Sequence, residues 1–426
     1  MLHWMMWMAG LTLWSLFQVK GASPTTPGTE LVNTAKAVEQ RVSKLRGLAV
    51  KKEIRWEVAT KDTVHAYLLK ALEQQYPPGE LEKEGDALKA LGLIPGQLNY
   101  RSFIIKLYEE QVGGFYDPKK ELFYLAGWIP AGIQSVIIAH ELTHALQDQH
   151  FNIDQFAERQ QGNSDALYAR LALLEGDATW VMLLDSMGST GIDLDLSAID
   201  LDSALGRMMM SLSTTQMPTF DQAPRAVREL LMFPYMRGFQ FVGYGRKLGG
   251  WKRIDAVYAD LPTSTEQILH PQRYFEQRDA PEVVFFTPPE ELRARKWEWI
   301  YEDVLGEFML LQLLEPIFNE EERRKAADGW DGDKVIVWRR GKELAWVLST
   351  VWDSDQDAVE FAGAYAKMVG KRGAGFSLQP LNGQPQMAWK NAENRVIWVE
   401  KRGSRVLVTE NLEKDLAESV RQAAFH

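Results

Sequence analysis

The residues best placed to do chemistry in this 426-residue chain form the run His140-Glu141-Leu142-Thr143-His144. On a helix, positions i and i+4 project from one face, about 40° apart. Two imidazoles at that spacing can grip one Zn²⁺ ion. Glu141 stands one position round the helix, within reach of a water in the open fourth coordination position. Such a water titrates near neutrality, and a carboxylate can take its proton as it attacks a carbonyl. The H-E-x-x-H pattern thus predicts two ligands, one general base and one zinc ion per chain, in the service of peptide-bond hydrolysis.

The flanking residues predict where this motif sits. Pro130 to Ala139 is mostly apolar, and Ala145-Leu146 follows the motif. That predicts an active helix over about 131–148, buried inside a domain. A buried His-Glu-His cluster is costly unless something charged pairs with it, and a zinc ion answers that need.

A catalytic zinc site takes a third protein ligand. His150 has the spacing of H-E-x-x-H-x-x-G-x-x-H, but that pattern needs a glycine where this chain has Gln147. The other candidate is Glu175 in Leu174-Glu175-Gly176-Asp177-Ala178, on a second predicted helix over about 164–187. Small residues at Ala172, Gly176 and Ala178 let that helix approach another closely where Glu175 projects. A His₂Glu set of His140, His144 and Glu175 is the preferred reading, with His150 in a structural contact.

Upstream, Val112 to Tyr116 and Glu121 to Ala126 are aromatic-rich runs on either side of Asp117-Pro118. They predict a β-hairpin. An open hairpin edge could pair with an extended peptide; the sequence leaves open which edge is free.

Taken together, Gly114-Phe115-Tyr116-Asp117-Pro118, His140 through Phe151, Glu175-Gly176-Asp177-Ala178 and Ser264 through Pro271 resemble a group of exported bacterial zincins of the gluzincin type. The resemblance spans roughly Val112 to Tyr274. It implies metallopeptidase chemistry with His140, His144 and Glu175 as ligands and Glu141 as base, and it names no substrate. Many gluzincins carry an Asp four residues after the ligand Glu to orient a ligand histidine. Here that position is Thr179, and Asp177 is the substitute. In gluzincins a distant His or Tyr donates to the oxyanion; His270 is the first candidate for that catalytic role and Tyr235 the second.

The N-terminal apolar run Trp4 to Phe17 is too short to span a bilayer comfortably and fits a signal-peptide core. This predicts export to the periplasm or outside, the alternative being an anchor formed by the uncleaved segment. The chain has no Cys, so neither a disulfide nor a lipoprotein cysteine is available. Its net charge of −10 is spread along the sequence, which argues against nucleic acid as a partner. The expected partner is a peptide or protein substrate, with no membrane contact beyond the N-terminus.

The predicted fold is mixed α+β. Residues 1–21 read as a signal peptide and 22–30 as a flexible linker. Residues 31–286 read as a mostly helical, zincin-like catalytic domain with a strand at Glu53 to Thr60 whose Ile54, Trp56 and Val58 point inward. Residues 287–426 read as a C-terminal α+β module with strands at Lys334–Arg339, Glu343–Val351, Gln386–Lys390, Arg395–Glu400 and Arg405–Thr409. Met208-Met209-Met210 reads as core or pliable surface. Two rival functions stay open: a degenerate zincin used as an envelope binding module, and a zinc amidase acting on cell-wall peptides.

Overall fold

The computed structural model describes residues 28–425, apart from 112–113, 118–119, 128–130, 154–155, 157–161, 189–217, 316, 373–376 and 380–385. The predicted signal peptide and Met208-Met209-Met210 lie outside the described residues. The chain is α+β, as its sequence pattern predicts. Its principal helices are α1 (Gly28–Arg46), α2 (Lys61–Gln75), α3 (Glu80–Ala90), α4 (Tyr100–Gln111), α5 (Ala131–Phe151), α6 (Ser164–Gly188), α7 (Arg225–Ala259), α8 (Thr265–Leu269), α9 (Gly306–Leu314), α10 (Glu320–Ala327), α11 (Asp355–Arg372) and α12 (Lys414–Ala424). Helix α1 opens at Gly28, so the end of the predicted linker is helical.

Three strands, β1 (Arg55–Ala59), β2 (Gly114–Asp117) and β3 (Leu122–Ala126), form a small sheet in the order β1-β3-β2. Strands β2 and β3 are the predicted hairpin, and β1 lies parallel to β3. Ile54 is buried and Trp56 half-buried as expected, but Val58 is 43% exposed. Strand β1 is an outer strand, and its far end leaves this side chain uncovered.

A second sheet runs β4-β5-β6-β10-β9-β8-β7 in seven strands, every neighbour antiparallel. Its strands are β4 (Glu298–Asp303), β5 (Trp330–Arg340), β6 (Glu343–Trp352), β7 (Ser377–Gln379), β8 (Gln386–Lys390), β9 (Arg395–Arg402) and β10 (Arg405–Glu413). Alternation along β5 divides its side chains between two cores. Val335 and Val337 join the main core with Phe361 and Tyr365 of α11, while Ile336 and Trp338 pack with Leu416 and Val420 of α12. The main core also takes in α2 to α4, α6 and α7, so it crosses the predicted boundary at residue 287.

Buried carboxylates tie the start of α6 to the second sheet. Asp303 at the end of β4 accepts the Ser164 N–H at 2.7 Å, and the Ser164 and Tyr301 hydroxyls also donate to it. Asp165 accepts the Thr265 N–H at 2.9 Å. Asp333 on β5 accepts the Leu305 and Gly306 N–H groups, each at 2.8 Å, and the Trp330 indole N–H at 2.9 Å.

Candidate metal centre

Helix α5 carries the motif because Ile137 to Gln147 offers no glycine or proline to break it. All of those residues are buried, polar ones included. Helix α6 is buried continuously from Leu171 to Leu183. It is pressed against α7 at two glycines. A Cβ on Gly176 would stand 2.2 Å from the Gly238 carbonyl, and one on Gly238 would stand 2.0 Å from the Ala172 oxygen. Only glycine at both positions allows this backbone contact, immediately beside Glu175. Trp180 locks the same face, donating its indole N–H to the Phe239 carbonyl at 2.7 Å and stacking on that ring.

The two helices bring His140, His144 and Glu175 together. His140 Nε2 lies 3.0 Å from Glu175 Oε2, His144 Nε2 lies 3.4 Å from the same oxygen, and the two Nε2 atoms are 3.1 Å apart. Ligands ~2.0–2.2 Å from one ion in a tetrahedron stand about 3.4 Å from each other. The donor atoms and their spacing therefore fit a zinc ion. All three side chains are buried, and a cavity of about 10 Å³ touches Tyr116, His144, Ile153 and Glu175. That is space on the scale of one ion or water molecule.

Gln147 orients the second histidine. Its Oε1 accepts the His144 Nδ1–H at 2.8 Å, and its own Nε2 donates to the Leu174 carbonyl at 3.1 Å. This turns His144 Nε2 toward Glu175 and couples that histidine to the residue preceding Glu175. Asp177 does not play the orienting part expected of it. It accepts from Arg46 at 2.7 Å and from the Tyr258 hydroxyl at 2.7 Å, fixing α6 to α1 and α7. His150 turns away and meets the Ala49 carbonyl at 2.7 Å.

Glu141 is 1% exposed, and its Oε1 has no hydrogen-bond partner. Burial pushes its carboxyl up to about 8, against the pull of the His144 charge and a hydrogen bond donated by the Tyr116 backbone N–H. Among the described residues β2 pairs with β3 alone and is an outer strand of the small sheet, so its other edge is the open one. Around the carboxylate of Glu175, burial is outweighed by the neighbouring histidines, which hold its carboxyl well below the usual range. Burial lowers His140.

His270 is not part of this group. Its Nε2 meets Glu307 at 3.0 Å, and it lines a separate cleft that includes none of the triad. Tyr235 is the candidate that lies beside the triad, its ring centroid 6.0 Å from that of His140. No described helix is long and apolar enough to cross a membrane.

Residues 297–421 match a family described as Domain of unknown function (DUF8575). No curated protein matches the chain, and no solved structure does.

Proposed function

We propose that this chain is an exported zinc-dependent peptidase in which His140, His144 and Glu175 hold the metal and Glu141 is the general base. The observation that carries the reading is the convergence of one carboxylate and two imidazole donor atoms within 3.0–3.4 Å, with an unpartnered carboxylate oxygen on the adjacent helix position. Zinc supplies Lewis acidity when bound, activating water and polarising a carbonyl. Glu141 takes and returns the proton; its raised pKa suits exchange near neutrality. The free edge of β2 orients an extended peptide along the motif helix by main-chain pairing. Tyr235, beside His140, takes the donor role first expected of His270. The apolar run Trp4 to Phe17 supports export.

The test is metal analysis of the purified protein together with digestion of a peptide library. Stoichiometric zinc and chelator-reversible cleavage are expected. Active protein without stoichiometric metal would end the zinc reading. Zinc-loaded protein that cleaves no peptide would favour the binding-module alternative, and cleavage confined to cell-wall peptides the amidase.

A further inference from the structure

Alternation along β2 sends Phe115 and Tyr116 to different cores. Phe115 lies in the main core, its ring centroid 4.6 Å from those of Tyr67 and Tyr124. Tyr116 lies in the core around the motif helix, with Ile138, Leu142 and Ala145 of α5. It does more there than fill space. Its hydroxyl donates to Asp148 Oδ2 at 3.0 Å, and its backbone N–H donates to Glu141. Its side chain also borders the small cavity that touches His144 and Glu175.

Glu141 and Asp148 are two turns apart on α5. They share one face, about 10 Å apart along the axis, and His144 lies between them. One residue of β2 thus holds α5 at two points. A single contact lets a strand pivot on a helix; two contacts two turns apart fix its tilt as well as its distance. Core packing alone does not call for the hydroxyl. Tyr116 is 4% exposed, and a phenylalanine would fill the same space without burying a polar group. Burial and the Asp148 charge raise the hydroxyl above its usual range, so it stays a donor.

The outer edge of β2 is unpaired among the described residues. In the peptidase reading, on which this inference rests, that edge pairs with the substrate backbone. The placement of β2 on α5 then sets where the scissile carbonyl falls relative to His140, His144 and Glu175. A misplacement of ~1 Å can cost on the order of 10²-fold in rate. We infer that Tyr116 is a positioning residue which, through Asp148, fixes the substrate-pairing edge of β2 relative to the metal ligands. It touches no reacting atom, so its effect scales with how much of the substrate lies along β2.

Internally quenched peptides of four, six and ten residues, built around one bond that the unmodified chain cuts, test it, with rates normalised to bound zinc. Tyr116→Phe should bind zinc as the unmodified chain does. Its kcat/KM should fall at least about tenfold on the ten-residue peptide and less than about twofold on the four-residue one, because only the longer substrate pairs along β2. Asp148→Ala should reproduce that pattern, and the double variant should be no worse than either single one. Asp148→Asn should recover most of the rate lost in Asp148→Ala, since its amide oxygen accepts the same hydroxyl. Asp148 is half-buried, so its variants read the contact even where Tyr116→Phe fails to fold. Unchanged rates at every length overturn the inference and leave the peptidase reading intact. So does an equal loss at every length, which marks Tyr116 as packing of the metal centre, and so do additive losses in the double variant. An unmodified chain that cleaves no peptide fails the peptidase reading, and this inference with it.

Discussion

Helix α6 carries two buried acidic clusters, and they are built differently. Near its start, the carboxylates of Asp303, Asp165 and Asp333 are fed by donors fixed in the fold: backbone N–H groups, hydroxyls and an indole. Further along, Glu175 receives only imidazoles, while Glu141 keeps an oxygen with no partner. Both clusters are buried, so burial alone does not separate them. What separates them is the donor supply. Acids solvated by backbone form a joint between the helices and the second sheet. Acids whose only partners are the proposed metal ligands leave a demand that an ion would meet. Asp165 is the partial exception, since its Oδ2 has no partner.

The largest expected difference between the two clusters is catalytic. Glu141→Gln should retain zinc and fold yet lose at least about 10²-fold in peptide turnover. Asp303→Asn should leave the turnover of its folded fraction unchanged. Cleavage assays normalised to bound zinc decide this, and near-normal turnover in Glu141→Gln would remove the base from the site.

Metal affinity gives a finer ladder, read by competition with a chromogenic chelator. Glu175→Ala should cost the most. Gln147→Ala should cost about 10–100-fold through loss of the His144 orientation. His150→Ala should cost nothing measurable, since that side chain meets the Ala49 carbonyl instead. A larger loss for His150 than for Glu175 would reassign the third ligand.

The smallest effect concerns the joint and pH. Burial pushes the Asp333 carboxyl up from 3.8 to about 7, more than its three donors can offset. The folded chain therefore keeps a proton that the unfolded chain gives up as pH rises above about 4. The resulting stability is present below that pH and lost as pH rises towards 7. In metal-free protein, the unfolding free energy from urea titration should fall across pH 5–7 by on the order of 1 kcal/mol per pH unit more for the wild type than for Asp333→Asn. Parallel profiles would show that Asp333 is ionised throughout.

Much of this was legible before any coordinates. The apolar runs around His140 and Glu175 marked α5 and α6, because burial on all sides requires such composition. The small residues beside Glu175 announced a close helix contact. The role of Gln147 was missed although its signal was present: positions i and i+3 on a helix touch, so a glutamine three residues after His144 can reach its ring. The open edge of β2 could not be read, because it depends on sheet order. Asp177 could not be assigned either; its partner Arg46 comes from a distant helix, and sequence spacing says nothing of that pairing. His270 looked catalytic for want of Glu307, its actual partner. Strands β4 and β7 escaped notice, the first for its charged ends and the second for its three-residue length.

The contact between Gly176 and Gly238 has a genetic consequence. Neither residue belongs to the triad, yet each is confined to a single residue type by the backbone opposite. In a saturation screen scored by activity, the two positions should look as intolerant as the ligands themselves. A double substitution should not rescue either one, since both changes add bulk to the same gap. Such a pair would mark this centre in diverged sequences even where the acids and histidines had been lost.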